Sequence, residues 1–337
     1  MANVTIIGGG GWGIGLATVL SANEHHVTIW SAVESEVEML QNERENKRSL
    51  PGVKISDDIV VTGDLKEAVT DKDILVMATA SSFVRSTSKR LQGLIPEGQI
   101  IVNVAKGIEE GSLFTMTDII SEELPKANAA VLSGPSHAEE VGKGIPTTVV
   151  VGAKDKKTAT YIQHIFANEV FRVYTSPDML GIEIGGSLKN VIALAAGIAD
   201  GIGCGDNTKA ALITRGIAEI SRLGVAMGGQ LETFTGLSGM GDLIVTCASM
   251  HSRNRRAGIL IGQGKSMQEA MDEVHMVVEG VYSAKAGLEL SEKYHVSLPI
   301  IEEVNHVLFE GKSAKQALWD LMNRDLVGEL KKEKWTN

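Results

Sequence analysis

A glycine-rich turn close to the N-terminus is the sequence feature that most constrains the fold. It follows residues 4–7, a β-branched run without polar alternation, which is typical of a strand buried on both faces of a parallel sheet. Gly8, Gly10 and Gly13 come next with the spacing Gly-x-Gly-x-x-Gly, and the apolar segment 14–20 predicts a helix. The N-terminus is therefore predicted to form a strand, a tight turn and a helix.

The three glycines have separate physical roles in a turn that holds a dinucleotide. One allows the tight turn, one lets the backbone approach a pyrophosphate, and one lets the helix pack closely on the strand. The pyrophosphate can then accept hydrogen bonds from N–H groups at the helix N-terminus. The pattern also occurs in merely glycine-rich turns, but its position between a strand and a helix favours a dinucleotide site.

Length and composition indicate a folded protein of two domains. The 337 residues exceed the usual size of one domain, and 43% hydrophobic with 22% charged residues is ordinary for a globular chain. No apolar run reaches the ~20 residues that span a bilayer, and the N-terminus is a core strand, so we expect a cytoplasmic protein without a membrane span. The net charge of −10 disfavours nucleic acid as a partner, so an anionic ligand requires a local cluster of cations.

Cysteine and histidine usage predicts no metal site. Cys204 and Cys247 lie in different segments without Cys-x-x-Cys spacing, which is more typical of small buried side chains than of a disulfide or a metal pair. The eight histidines are scattered, and no segment resembles His-Glu-x-x-His. We therefore expect chemistry that needs no metal ion.

Strand and helix patterns alternate up to about residue 180, and helical patterns alone follow. The predicted strands after the first are 27–30, 59–62, 74–78, 100–104, 129–132, 147–151 and 171–174, with helices at 65–69 and 113–124. Ser136 and Glu139 have the spacing of a capping box and predict a further helix start. This order predicts a Rossmann-type, doubly wound parallel sheet over 1–182 and an all-α domain over 183–337.

The residues after the second strand lie beside the adenosine ribose in a fold of this type. An acid there bonds the 2′-hydroxyl of NAD, whereas an arginine accepts the 2′-phosphate of NADP. This chain has Ser31, Ala32 and Val33 there, and Glu34 is an acid slightly late in the sequence. The cations further on, Arg48 among them, fit a solvated helix and loop as well as they fit a cofactor contact.

Three residues are candidates for the chemistry. Lys189 lies among apolar residues on a glycine-rich helical segment, where desolvation would lower its pKa toward that of a proton acceptor; the alternative is a lysine that reaches water. Lys106 follows a strand, where it could contact a ligand or remain a surface charge. Asp242, between glycines and an apolar run, could pair with a buried lysine, although its position alone favours a helix cap.

Residues 252–256 form the densest cationic cluster of this acidic chain. Hydroxyl, amide and guanidinium donors at a helix N-terminus are suited to bind a phosphate, and arginine can do so with two parallel hydrogen bonds. A single solvated arginine would be unremarkable, but three in four residues favour a phosphate site. The glycine-rich helix that carries Gly185, Gly186 and Gly197 predicts close helix packing or a ligand against the backbone.

In combination these segments resemble the bacterial NAD(P)-dependent glycerol-3-phosphate dehydrogenases over essentially the whole chain. The segments that carry the resemblance are 8–13, 105–107, 132–138, 171–174, 188–191, 212–216, 241–243, 251–255 and 278–280. The resemblance implies interconversion of sn-glycerol 3-phosphate and dihydroxyacetone phosphate, which supplies phospholipid synthesis. It also implies a homodimer.

The resemblance assigns roles to individual residues. Lys189 matches the proton acceptor, with Lys106 and Asp242 beside it as catalytic residues. The expected substrate contacts are Lys106, Gly134, Ser136, Lys189, Asn190, Asp242, Thr246, Ser252, Arg253 and Asn254. The expected cofactor contacts are Gly8, Gly10, Gly11, Trp12, Gly13, Arg48, Lys106, Ala138, Arg253, Val277 and Glu279.

Departures from the family pattern bear on the choice of cofactor. Gly11 replaces the usual serine and keeps only a backbone donor, and Ala80 replaces a common proline. The histidine or arginine usual after the second strand is absent at Ala32 and Val33, which predicts relaxed or NAD-leaning use unless Arg48 reaches the site.

Two other functions compete with this interpretation. One is a 3-hydroxyacid dehydrogenase of the 6-phosphogluconate or hydroxyisobutyrate type, in which a lysine and an asparagine should stand four residues apart on one helix face. Here Lys189 and Asn190 are adjacent. The other is a catalytically silent dinucleotide sensor, which would not need two lysines, an aspartate and an arginine cluster together.

Overall fold

The computed structural model describes residues 1–275, 277–326 and 328–329, so the predicted tail from Leu330 onward lies outside the described residues. Eight strands form one sheet in the order β3-β2-β1-β4-β5-β6-β7-β8. They are β1 (Asn3–Ile7), β2 (His26–Trp30), β3 (Val60–Thr62), β4 (Ile74–Met77), β5 (Ile100–Asn103), β6 (Asn128–Ser133), β7 (Thr147–Ala153) and β8 (Phe171–Ser176).

Helices cover the sheet in the first half of the chain and make up the second half. On the sheet lie α1 (Gly11–Ala22), α2 (Glu34–Glu43), α3 (Leu65–Val69), α4 (Val84–Leu91), α5 (Met116–Glu123), α6 (Ala138–Val141) and α7 (Lys156–Phe166). The second half contains α8 (Met179–Gly201), α9 (Asp206–Ala226), α10 (Leu231–Thr235), a π-helical turn (Leu237–Gly241), α11 (Asp242–Ala248), α12 (Arg253–Gly262), α13 (Met267–Val274), α14 (Glu279–Tyr294), α15 (Pro299–Phe309) and α16 (Ala314–Met322). The predicted fold class is confirmed, and the exact domain boundary stays a prediction.

The centre of the sheet explains the unbroken apolar strands of the sequence. Strand β1 lies between β2 and β4, with Ile6 opposite Ile29 and Val76 in parallel register, and all three side chains are fully buried. Strands with helices on both faces carry apolar residues at successive positions. The glycine turn consequently leaves the middle of the sheet at its carboxyl edge.

One pair of strands departs from the predicted parallel arrangement. Strand β7 runs antiparallel to β6, with Leu132 opposite Val151. A parallel neighbour needs a long crossover that returns the chain to the same end of the sheet. Between β6 and β7 the chain forms only the one-turn helix α6, so it reverses direction directly beside β6.

The predicted capping box at Ser136 and Glu139 is also wrong. Helix α6 begins at Ala138 after His137, which makes no side-chain cap, and the Ser136 hydroxyl donates to the carbonyl of Gly134 at 2.9 Å. The preceding residues explain this outcome, since Gly134 has φ +146° and turns the chain away before a helix can start.

Helix α8 is the central element of the helical half, and its glycines are points of close contact with α12. A Cβ on Gly197 would stand 2.1 Å from the carbonyl oxygen of Arg255, and one on Gly258 would stand 2.2 Å from that of Leu194. Such distances are below any real Cβ contact, so only glycine permits this crossing. Close helix packing thus accounts for Gly197, whereas Gly186 lies against the sheet side near Ser133.

Helix α8 is the one helix of the described residues that is long and apolar enough to be compared with a membrane span. Its 23 residues are long and apolar enough by composition, with 94% of the apolar window buried inside the protein. The helix is therefore placed as a core helix of this fold. Of the cysteines, Cys247 is buried and Cys204 half-buried, and both are free. In the described ranges, no three His, Cys, Asp or Glu side chains group as a metal site.

Candidate active site

A cavity of about 420 Å³ lies between the carboxyl edge of the sheet and the helical half. Most of the residues assigned from the sequence line it: Gly10, Gly11, Trp12, Lys106, Ser136, Ala138, Lys189, Asn190, Asp242, Thr246, Ser252, Arg253, Asn254, Val277 and Glu279. It is also lined by residues without an assigned role in the sequence, among them Glu36, His137, His251 and Arg256. The predicted cofactor and substrate residues therefore meet in one space.

Four of the assigned residues are not in the described lining, and the reasons differ. A Cβ on Gly8 would stand 2.7 Å from the Ala78 carbonyl oxygen, and one on Gly13 would stand 2.3 Å from that of Gly8, so both glycines shape the turn from beneath. Gly134 acts through its backbone, because its carbonyl accepts from Lys106 Nζ at 3.3 Å. Arg48 is exposed and outside the cavity lining, so its contact with the cofactor stays a prediction.

The cofactor side of the cavity is made of backbone. Helix α1 has Gly10 at its N-cap and no side-chain cap, so its first N–H groups have no partner within the helix and face the cavity beside Gly11 and Trp12. A Cβ on Gly10 would meet no atom within 4 Å, which leaves room for a ligand. Asn46 holds the turn by donating to the carbonyl of Gly9 at 2.9 Å. These features fit the pyrophosphate of a dinucleotide.

Two lysines and one aspartate form the charged centre of the cavity. Lys189 Nζ donates to Asp242 Oδ1 at 2.5 Å, and Lys106 Nζ donates to Asp242 Oδ2 at 2.7 Å. Lys189 also donates to the hydroxyl of Thr246 at 2.8 Å, and that hydroxyl donates to the Asp242 carbonyl. Both carboxylate oxygens of Asp242 are thus bonded to lysines, so the favoured expectation of a helix cap is wrong.

Burial and charge set the protonation of this cluster. Burial lowers the pKa of Lys189 to about 8, against the raising effect of the Asp242 charge. Burial by itself would raise the pKa of Asp242, but the charges and hydrogen bonds of Lys106 and Lys189 outweigh it and hold that pKa below its ordinary value. Two ammonium groups around one carboxylate leave a net positive charge when both are protonated, which favours an anion in the cavity.

The arginine cluster divides between the cavity and the outside. Ser252 is the N-cap of α12, and its hydroxyl accepts from the backbone N–H of Arg255 at 3.2 Å. Arg253 and Arg256 line the cavity, whereas Arg255 turns away and pairs with Asp200 at 2.8 Å. Only part of the cluster can therefore bind a phosphate, and Arg256 joins Arg253 because positions three apart share a helix face.

Asn254 joins three helices and is only partly free to bind a ligand. Its side-chain N–H donates to Asn190 Oδ1 at 2.9 Å, and its side-chain oxygen accepts from the backbone N–H of Gly280 at 2.8 Å. Asn190 in turn donates to Glu279 at 3.2 Å. One N–H of Asn254 remains for a phosphate, so its first effect is to fix α8, α12 and α14 around the cavity.

His137 lines the cavity and was missed in the sequence, although it lies inside the segment that carries the resemblance. Its Nε2 is buried, with no hydrogen-bond partner among the described residues, and its ring lies 5.7 Å from that of His251. Burial lowers the pKa of His137, and the Lys189 charge lowers it further, which favours the neutral imidazole. Its only sequence signal was its place directly after Ser136.

Comparison with known proteins identifies the family. A family model described as the N-terminus of NAD-dependent glycerol-3-phosphate dehydrogenase matches residues 3–159, and the model of its C-terminus matches residues 178–319. A relative from Fusobacterium nucleatum named glycerol-3-phosphate dehydrogenase (NAD(P)+) is 64% identical over 327 residues, which are 96% of this chain and 98% of the relative. One of the same name from Agathobacter rectalis is 61% identical over 99% of this chain and 100% of its own length.

Solved structures agree with the sequence relatives. The crystal structure of glycerol-3-phosphate dehydrogenase from Coxiella burnetii superposes with a TM-score of 0.92 at 34% identity, covering 96% of this chain and 99% of that one. D-mandelate dehydrogenase in complex with NADH has a TM-score of 0.61 at 16% identity, which shows a shared fold alone. On this evidence the chain belongs to the NAD-dependent glycerol-3-phosphate dehydrogenase family.

Proposed function

We propose that this protein interconverts sn-glycerol 3-phosphate and dihydroxyacetone phosphate with a nicotinamide dinucleotide in the cavity described above. The observation that carries the proposal is the buried contact of Lys189 and Lys106 with the two oxygens of Asp242, on the same cavity as an uncapped helix N-terminus and two arginines. A silent sensor would not need this cluster. The family match favours this reaction over that of a 3-hydroxyacid dehydrogenase.

The phosphate of the substrate is bound from the helical side. Arg253 can form two parallel hydrogen bonds with it, and the free N–H of Asn254 and the N-terminus of α12 at Ser252 add donors. Ser136 and the Gly134 backbone contribute from the end of β6. Binding a remote phosphate orients the carbon that reacts, because it fixes one end of a short substrate.

Lys189 moves the proton. A pKa of about 8 gives it a substantial neutral fraction at physiological pH, so it can accept the proton of the C2 hydroxyl during oxidation and return it during reduction. Asp242 positions Lys189 and balances its charge, and Thr246 fixes the second hydrogen bond of its ammonium group. Lys106 stands on the opposite oxygen of Asp242, where it can orient the substrate oxygens.

The dinucleotide is held mainly by the sheet side. Gly11 and Trp12 at the start of α1 would face the pyrophosphate, with Gly8, Gly10 and Gly13 shaping the turn, and the other expected contacts, Ala138, Val277 and Glu279, line the same cavity. When bound, the nicotinamide accepts or donates the hydride. The protein itself would hold the reacting carbon of the substrate close to both the nicotinamide and the Lys189 amine.

The family resemblance also supports a homodimer in the cytoplasm that supplies glycerol 3-phosphate for phospholipid synthesis. Light scattering on a sizing column tests the oligomeric part of this proposal. A mass of 35.9 kDa across the working concentration range would count against a dimer.

An absorbance assay tests the reaction. Consumption of NADH and NADPH is followed with dihydroxyacetone phosphate as substrate, and in parallel with 3-oxoacids as substrates of the competing enzyme class. We expect turnover only with dihydroxyacetone phosphate, at least ~10²-fold reduced in Lys189→Ala and unchanged in Lys154→Ala, which alters an exposed lysine. Absence of turnover with both cofactors would refute the proposed reaction, and full activity of Lys189→Ala would refute the role of the lysine.

A further inference from the structure

No acidic residue directly follows strand β2. Instead, Glu36 of α2 places its carboxylate beside the end of that strand. Ser31 follows the last residue of β2 and is 4% exposed. Its hydroxyl donates to Glu36 Oε2 at 2.6 Å and accepts from the backbone N–H of Val33 at 3.1 Å. The Glu36 carboxylate is thereby fixed beside the strand end, where a fold of this type reads the adenosine ribose.

Glu36 faces the cavity, and its neighbouring acid does not. Glu36 is half-buried, lines the cavity, and its Oε2 lies 3.2 Å from the position that a Cβ on Gly9 would take. Glu34, the acid noted after β2 in the sequence, is exposed. The carboxylate that meets the glycine turn is therefore the one five residues past Ser31.

Two of the cations that follow α2, Arg44 and Lys47, are engaged elsewhere. Arg44 donates to the carbonyl of Ile59 at 2.8 Å and lies 3.7 Å from Asp57, while Lys47 pairs with Glu43. Arg48 is exposed and outside the cavity lining. Among the described residues no cation forms an ion pair with Glu36, so the carboxylate beside the strand end has no cationic partner.

We infer that Glu36, oriented by Ser31, makes this enzyme select NAD over NADP. A carboxylate accepts hydrogen bonds from the ribose hydroxyls of NAD, whereas the 2′-phosphate of NADP brings a second anion to the same place. The inference rests on the proposed function for the identity of the ligand.

Equilibrium binding separates this inference from the reaction itself. Titration of NADH and NADPH fluorescence gives both dissociation constants without substrate, and kcat/KM with dihydroxyacetone phosphate gives the same ratio under turnover. We expect the wild type to bind NADH at least about tenfold more tightly, and Glu36→Gln to reduce this ratio about tenfold, mainly through tighter NADPH binding. Glu38→Gln, on the exposed face of the same helix, should leave the ratio unchanged.

A second variant tests the orienting role of Ser31. Ser31→Ala keeps the carboxylate but removes its hydrogen bond, so the ratio should fall by less than in Glu36→Gln. A wild type that prefers NADPH, or a ratio that Glu36→Gln and Ser31→Ala both leave unchanged, overturns the inference. Selective NADH binding without turnover of dihydroxyacetone phosphate would instead overturn the proposed function and leave the role of Glu36 standing.

Discussion

The two sides of the cavity are built from different parts of the chain in different ways. The cofactor side uses backbone N–H groups and glycines within residues 8–13, which one strand and one helix hold together. The chemical side uses side chains from three distant elements, since Asp242 is 53 residues from Lys189 and 136 residues from Lys106. A local motif can thus specify that a dinucleotide binds, whereas the groups that carry out the reaction are brought together only by tertiary contacts.

This difference has an energetic counterpart. The backbone side does not tolerate an added Cβ at Gly8 or Gly13, because the nearest neighbours of that Cβ are rigid carbonyl groups. On the chemical side, we expect a change in the charge of a side chain to be more harmful than a change in its shape. The reason is that each ion of a buried cluster is stabilised by the opposite charges of the others. Variants on the two sides should therefore fail in different measurements.

Removing the shared aspartate should have the largest effect. Asp242→Ala leaves the charges of Lys189 and Lys106 without a counter-ion in a buried site. We therefore expect kcat/KM to fall about 10³-fold and the free energy of unfolding, measured in urea, to fall by about 3 kcal/mol. Asp242→Asn keeps the shape and should lose activity with a smaller loss of stability. Asp272→Asn, an exposed aspartate of the helical half, serves as the control. Near-normal turnover by the Asn variant would show that the charge is not needed.

The arginine cluster offers a matched pair for the phosphate. Arg253→Met should raise KM for dihydroxyacetone phosphate about 10²-fold, because a charge-assisted, two-point contact is lost. Arg255→Met should leave KM within about twofold and lower stability by about 1 kcal/mol, since its partner Asp200 retains Lys209 at 2.9 Å. With the phosphate-free substrate dihydroxyacetone, the difference between Arg253→Met and the wild type should be much smaller, because neither protein then binds a phosphate. Equal KM changes in the two variants would contradict this division of the cluster.

Alanine variants of two glycines on the backbone side should affect different properties, stability in one case and NADH binding in the other. Gly13→Ala forces a Cβ against the Gly8 carbonyl and should cost about 2 kcal/mol in thermal or urea unfolding. Gly10→Ala meets no protein atom, so its stability should equal that of the wild type, but its methyl group occupies the cavity and should weaken NADH binding about tenfold. Wild-type NADH affinity in Gly10→Ala would place the pyrophosphate elsewhere.

The pH dependence of kcat/KM should reflect the protonation of Lys189. Oxidation of glycerol 3-phosphate should become faster as the pH rises, and reduction of dihydroxyacetone phosphate should become slower. Below a pKa of about 8 the lysine is protonated, so kcat/KM for glycerol 3-phosphate oxidation should rise about tenfold per pH unit and level off above pH 8. Reduction needs the protonated amine and should decline above that pH. Asp242→Asn removes a charge that raises this pKa, so the inflection of its residual activity should move to lower pH. An inflection that stays in place would assign it to another group.

Much of the sheet could be predicted because its signals are local. Buried parallel strands require unbroken apolar runs, and those at β1, β2, β4 and β5 were located within a residue or two. Helices α4 and α7 were not predicted, since their sequences are rich in polar residues and their apolar faces are narrow. Strand β7 was predicted but its antiparallel direction was not, because the direction of a strand depends on the path of the chain after Gly134 and not on the composition of the strand.

The sequence predicted which residues belong to the candidate site better than it predicted the contacts between them. Lys189, Lys106 and Asp242 were each ambiguous by themselves, and spacing alone favoured a helix cap for Asp242. The side-chain contacts of Arg255 and Asn254, which use their donors within the protein, have no signal in the sequence. Glu36 was overlooked because it belongs to no local motif, and His137 was overlooked although it lies within the segment 132–138.

From its sequence alone this chain could be determined to form a strand, a glycine turn and a helix that suit a dinucleotide, followed by a helical half. Those features depend on periodicity and on the absence of Cβ atoms over a few residues, which local physics dictates. Only the tertiary structure decided that one carboxylate joins Lys106 to Lys189, that two of three arginines face the cavity, and that Glu36 stands at the glycine turn. Buried charges act through partners, and the fold alone brings those partners together.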